Sequence, residues 1–160
     1  MENIFAFVEG MSKLMQVVAG TALTFIMLLT GTDVALRIFG HPIIGTYEMV
    51  GLGGALVLGF ALPMTSWLRG HIFVDFVYIK CPKKVQQVVN VATRIICIAV
   101  YLLIGWNLLL MGIELHVSGE LTITRHVPFY PIAYALGLCC FAECLVLICD
   151  IGKIAGGTYE

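Results

Sequence analysis

This sequence predicts an all-α membrane fold: four transmembrane helices, with an amphipathic interfacial helix between the second and third. Three observations predict it. Of the 160 residues 60% are hydrophobic and only 12% charged, and mean hydropathy is +0.99; a soluble domain of this length leaves too much of its surface wet to hide so much apolar area. Four apolar runs each reach the ~20 residues that cross a bilayer core. The connections between them are short, so residues 1–160 read as a single membrane domain.

The first span covers about residues 14–36 and follows Lys13. Its apolar run continues past the short hydrophobic region of a signal peptide, so a retained span is expected. At its far end Asp33 and Arg37 stand four residues apart, the spacing that lets two charges neutralise each other on one helix face. Pairing is favoured over ion transport there because the site lies near the water boundary. Pro42 and Gly45 mark a short turn, and Glu48 opens the second span, about 48–68. A carboxylate is stabilised by the positive end of a helix, and Glu48 is also expected to meet Arg37 across the turn.

Along the second span Gly51, Ala55 and Gly59 recur every four residues on the side of Glu48. In lipid, small residues let helices approach closely, so this stripe suits packing inside the unit or against a partner. Pro63 follows on the same face and is expected to bend the helix near its end.

Next comes "RGHIFVDFVYIKCPKK", residues 69–84. As a helix over about 69–81 it carries His71, Asp75 and Tyr78 on one face and Ile72, Phe73, Phe76 and Val77 on the others. That pattern suits the interface plane, its rings in the acyl boundary. Lys80, Lys83 and Lys84 then lie among anionic lipid headgroups, and Pro82 stops the segment. The plain reading is a lipid-lying connector. A proton relay at His71 is the functional one.

The third span covers about 88–111 and the fourth about 129–149. Glu143 is the least comfortable acid of the chain, about 10 Å along the axis from Asp150. It is expected to be protonated, to pair with Arg94 or Lys13, or to aim at a partner protein, structural pairing being favoured over an ion or proton site. Glu114, His116, Glu120, Arg125 and His126 read as solvated groups of the loop side. Lys13, Arg69, Lys80, Lys83, Lys84 and Lys153 fall on one side of the membrane, against Arg37 and Arg125 on the other. The excess of positive charge places both termini in the cytoplasm.

Composition and motifs also exclude. Net charge is −1, and no basic, aromatic-rich platform speaks for nucleic acid. Six cysteines occur without any C-x-x-C pair, so zinc-ribbon and thioredoxin-like readings lack their spacing. There is no P-loop, H-E-x-x-H, G-x-S-x-G or dinucleotide fingerprint. Neither an enzyme nor a cofactor is expected. Paired broken helices in two similar halves, the mark of many self-contained transporters, are absent from the pattern. The residues alone describe a small four-span subunit of something larger.

The order Arg37, Pro42, Gly45, Glu48, then Gly70-His71-Ile72 and Val74-Asp75, then Pro82, resembles the small permease subunit of the tripartite ATP-independent periplasmic (TRAP) transporters, the DctQ type. Pro128 before the fourth span suits the same pattern. Tyr47 stands where many members carry tryptophan, and Cys81-Pro82 replaces the usual Leu-Pro. The resemblance implies a bacterial inner-membrane complex for sodium-coupled uptake of an organic anion. A periplasmic binding protein delivers the anion, a large multi-span permease subunit carries it, and this chain enlarges the stationary scaffold. Two other classes compete. A respiratory anchor holding haem or quinone needs histidines at ligating depth, whereas His41, His71, His116 and His126 fall in loops or at interfaces. A small homodimeric exporter needs a mid-membrane acid in the first span, whereas Asp33 stands at its end.

Overall fold

The computed structural model describes residues 2–68 and 83–155, and side chains within 5–68 and 88–152. Four helices make up almost all of it: α1 (Glu2–Ile38), α2 (Thr46–Trp67), α3 (Lys83–Ser118) and α4 (Tyr130–Ala155). Each contains a stretch long and apolar enough to cross a membrane. The expected interfacial helix over 69–81 lies outside the described residues.

The helices outrun the apolar spans that the sequence marks. Hydropathy sees only the part that suits lipid, whereas helical hydrogen bonding continues wherever polar residues favour it. At the start of α1 a Lys13–Glu9 pair at 2.6 Å supports the extra turns, four residues apart on one face. At 37 residues α1 is about 55 Å long, more than a ~30 Å hydrocarbon core takes up unless the helix tilts or projects.

Helix ends are fixed by backbone chemistry. After Ile38 the amide of Gly40 donates to Arg37 O and that of His41 to Leu36 O, both within 3.1 Å, with Gly40 at φ 73°. This is a Schellman closure, in which a left-handed glycine lets the chain return to its own last carbonyls. Gly45, at φ 88°, opens α2. Between α3 and α4 the chain makes a closed turn. Thr122 exchanges backbone bonds with Val127 and His126, and its hydroxyl accepts from the Val127 amide at 2.9 Å.

Two antiparallel hairpins result, α1 with α2 and α3 with α4, joined mainly where α2 packs along α4. Half of the apolar window of α4 is buried, against 11% for α1 and α3, so α4 is the core helix and the other two lie outside. Glycines set the close approaches. A Cβ placed on Gly53 would lie 2.6 Å from Ile26 Cγ2 of α1, and one on Gly59 would lie 2.5 Å from Leu136 Cδ2 of α4. Along α3 and α4 the levels match in order. The His116 ring meets Tyr130 at 4.8 Å, Gly112 faces Tyr134, Gly105 faces Cys140 and Phe141, and Arg94 meets Asp150. Met15, Cys139 and Ala142 form the buried apolar cluster, with Met11 and Phe60 against it. Pro63 is buried within α2, which continues as helix to Trp67.

Candidate functional site

The polar residues gather at two levels of the bundle. One level lies at the end that holds the α1–α2 and α3–α4 loops, the loop end. The other lies within the half nearer the chain termini.

At the loop end Asp33 is 3% exposed although it ends a lipid-crossing helix. Its Oδ2 accepts from Arg37 Nε at 2.9 Å and pairs with the Arg37 guanidinium at 2.8 Å, as the four-residue spacing expects. Its Oδ1 accepts the backbone amide of Ile43 at 2.7 Å. One carboxylate thus secures both the helix end and the turn that follows. Arg37 donates onward to the Tyr47 hydroxyl at 3.3 Å, and its guanidinium carbon lies 5.3 Å from the centre of that ring. A cation over an aromatic face is attracted by the ring quadrupole, so Tyr47 does the work of a broad aromatic platform in this turn.

The contact expected between Glu48 and Arg37 does not form. Arg37 is held by Asp33 and Tyr47, while Glu48 faces the α3–α4 loop one position on. There the carboxylate of Glu48 accepts from the Thr124 amide at 3.1 and 3.2 Å and from its hydroxyl at 2.7 Å. Arg125 Nε donates to Ile44 O at 3.0 Å. Arg125 is therefore more than a solvated loop group. With Thr124 it fastens the second hairpin to the first, and Gly45 makes room, since a Cβ there would lie 2.8 Å from Arg125 Cγ.

At the inner level the ties join helices directly. Ser66 of α2 donates to Glu143 Oε1 of α4. Glu143 is 1% exposed, and its Oε2 has no hydrogen-bond partner among the described residues. Arg94 of α3 donates to Asp150 Oδ2 of α4 and to Asn90 O at 3.2 Å, with Arg94 and Asp150 both buried. Of the partners considered for Glu143, neither Arg94 nor Lys13 takes it: Arg94 is engaged a level away by Asp150, and Lys13 turns outward to Glu9.

The glycine stripe divides between two environments. Gly59 is buried against Leu136 and Cys139 of α4, Ala55 is half-buried, and Gly51 is exposed with nothing within 4 Å of an added Cβ. Gly51 opens instead onto an apolar groove of about 400 Å³ between Tyr47, Leu52, Leu121 and Ile123. His71 and Asp75 lie outside the described residues. Cys97, Cys139, Cys140 and Cys144 are free thiols, and among the described residues no three His, Cys, Asp or Glu side chains converge as a metal site.

Sequence reasoning missed Ser66, Thr124 and the pairing of Asp150. A serine in an apolar helix reads as a small residue, and nothing in its spacing points to an acid on another helix. Arg94 and Asp150 were findable, because opposite charges placed at one level of two antiparallel spans are natural partners.

Among the described residues these ties bind the buried charged groups to a neighbouring helix or loop. The family model for the DctQ component of tripartite ATP-independent periplasmic transporters matches residues 26–155. No curated protein matches the chain at a significant level. The matched region takes in α2, α3, α4 and the part of α1 that carries the Asp33–Arg37 pair, and the chain belongs to the DctQ family, the small permease component of TRAP transporters.

Proposed function

We propose that this chain is the stationary scaffold subunit of a TRAP transporter for sodium-coupled uptake of an organic anion, in the bacterial inner membrane with both termini cytoplasmic. Its partners are a large multi-span permease subunit, which carries substrate and sodium, and a periplasmic binding protein, which delivers the anion. The observation that carries the reading is the engagement of the charged groups at the loop end and between the helices. Asp33, Glu48, Arg94 and Asp150 are each held by a residue of another turn, loop or helix. Ionisable groups in a membrane mark transport paths when they line a cavity or relay protons; groups locked to a neighbouring turn, loop or helix stiffen a frame instead. The unequal charge of the two sides supports the orientation.

Reconstitution tests the division of labour. Proteoliposomes containing this chain alone take up no organic anion under a sodium gradient, whereas vesicles with the large subunit, this chain and the binding protein do. Robust uptake by the chain alone overturns the scaffold reading. An absorption band of haem in the purified chain would revive the respiratory anchor.

A further inference from the structure

The outer face of α3 is not uniform. Residues 89, 93, 96, 100, 103, 107, 110, 114 and 117 follow one another at alternating steps of four and three, and all are exposed. This spacing is the seam along which two helices pair at a shallow left-handed crossing. Every exposed polar residue of α3 between positions 88 and 114 falls on it: Thr93, Asn107 and Glu114. The neighbouring exposed stripe, through Ile95, Ala99, Leu102 and Trp106, is wholly apolar and suits lipid.

Depth makes Asn107 the decisive residue. Tyr130 and Asp150 are twenty residues apart on α4, about 30 Å, which matches a hydrocarbon core. Midway lies Cys140, packed against Gly105 of α3. Asn107 therefore sits about 3 Å from the bilayer centre, and Glu114 about 13 Å, near the hydrocarbon edge toward the loop end. The Asn107 amide donates one hydrogen to Leu103 O at 2.8 Å, leaving its second hydrogen and its oxygen without a partner among the described residues. The outward threonines of α1 differ: Thr21, Thr24, Thr30 and Thr32 each return the hydroxyl to a carbonyl of their own helix. Glu114 has no polar partner among the described residues, and it lines a surface groove of about 580 Å³ with Leu103, Asn107 and Leu110.

We propose that this seam receives one transmembrane helix of the large permease subunit, a helix that presents an amide or hydroxyl at mid-bilayer and a basic side chain about 10 Å nearer the loop end. The proposal rests on the scaffold reading and adds the face and the chemistry of the contact. Lipid tails cannot hydrogen-bond Asn107. A second copy inserted the same way up could pair the amides, but its two-fold axis would set Glu114 against Glu114, and like charges repel strongly away from water. A different helix bearing a cation satisfies both residues at once.

Photo-crosslinking residues at 103 and 110, with controls at 95 and 102, test the face in the assembled transporter. Adducts with the large subunit are expected from 103 and 110, and lipid adducts or none from 95 and 102. The Asn107→Leu variant, altered at an exposed position, should remain monodisperse yet bind the large subunit about three- to twenty-fold more weakly, the range of one interhelical polar contact; Asn107→Gln should restore part of the loss. Adducts with the large subunit from 95 or 102 in place of 103 and 110, adducts with a second copy, or undiminished binding by Asn107→Leu would overturn the proposal while leaving the scaffold reading standing. Failure of the unaltered chain to co-purify with the large subunit would overturn that reading itself, and the proposal with it.

Discussion

Replacing Ser66 with alanine is expected to destabilise the isolated subunit, and adding Glu143→Leu is expected to rescue it. Among the described residues Ser66 is the hydrogen-bond donor to Glu143, whose side chain is 1% exposed and whose Oε2 has no partner there. Ser66→Ala therefore leaves a whole carboxyl group buried without a donor, which costs about 1–3 kcal/mol. Glu143→Leu removes the group that needs a donor, and Ser66 can return its hydroxyl to a carbonyl one turn back, as helical serines do. That single change should be neutral or stabilising. In the double variant two apolar side chains meet between α2 and α4, and most of the loss disappears. The coupling between the two positions is thus about 1–3 kcal/mol, opposite in sign to the loss from Ser66→Ala. Thermal unfolding of the detergent-solubilised chain measures it, at roughly 2–4 °C per kcal/mol for a chain of this size. A neutral Ser66→Ala, or a double variant as unstable as Ser66→Ala, would refute the reasoning.

The buried Arg94–Asp150 pair follows the same logic with a greater loss at stake: Arg94→Leu or Asp150→Leu alone should cost about 3–5 kcal/mol, and both together much less, in the same unfolding assay. Gly59→Ala should cost about 1–3 kcal/mol by forcing Leu136 aside, and Leu136→Ala should relieve it. Gly51→Ala, with open space around it, should leave the melting temperature unchanged. For the segment outside the described residues, His71→Ala and Asp75→Ala should each weaken recovery of the complex, with the double variant little worse than either; additive losses would separate the two residues.

The four spans were legible because hydropathy alone requires them, and the Asp33–Arg37 pair because its partners are four residues apart in one helix. Local spacing carries that kind of information. The ties that join helices are not local: Ser66 and Glu143 are separated by 77 positions, and Glu48 and Thr124 by 76. Which helices are neighbours, and in what register, follows from packing at Gly59, Gly105 and Gly112, and no periodicity within one span encodes it. The helices run beyond the apolar spans for a related reason. Residues such as Glu9 and Lys13 are hostile to lipid but compatible with a helix, so the membrane boundary and the helix boundary are different quantities. Glu114 reads as a group of the loop side; α3 extends past it and sets it on the same exposed stripe as Asn107.

If this subunit is a frame that stays still while its partner moves substrate, locking its helices together leaves transport intact. Two positions suit a lock. A Cβ on Gly53 would lie 3.9 Å from Ile26 Cβ, and one on Gly59 would lie 3.7 Å from Cys139 Cβ, both within the span a disulfide requires. Ile26→Cys with Gly53→Cys joins α1 to α2. Gly59→Cys, with Leu136→Ala to clear the space, joins α2 to α4 through the native Cys139. With the remaining cysteines replaced, the decisive measurement is sodium-driven uptake by the reconstituted three-part transporter, oxidised and then reduced. The scaffold account predicts equal rates in the two states. Uptake abolished by oxidation and restored by reduction would show that this subunit moves during transport, and would contradict it.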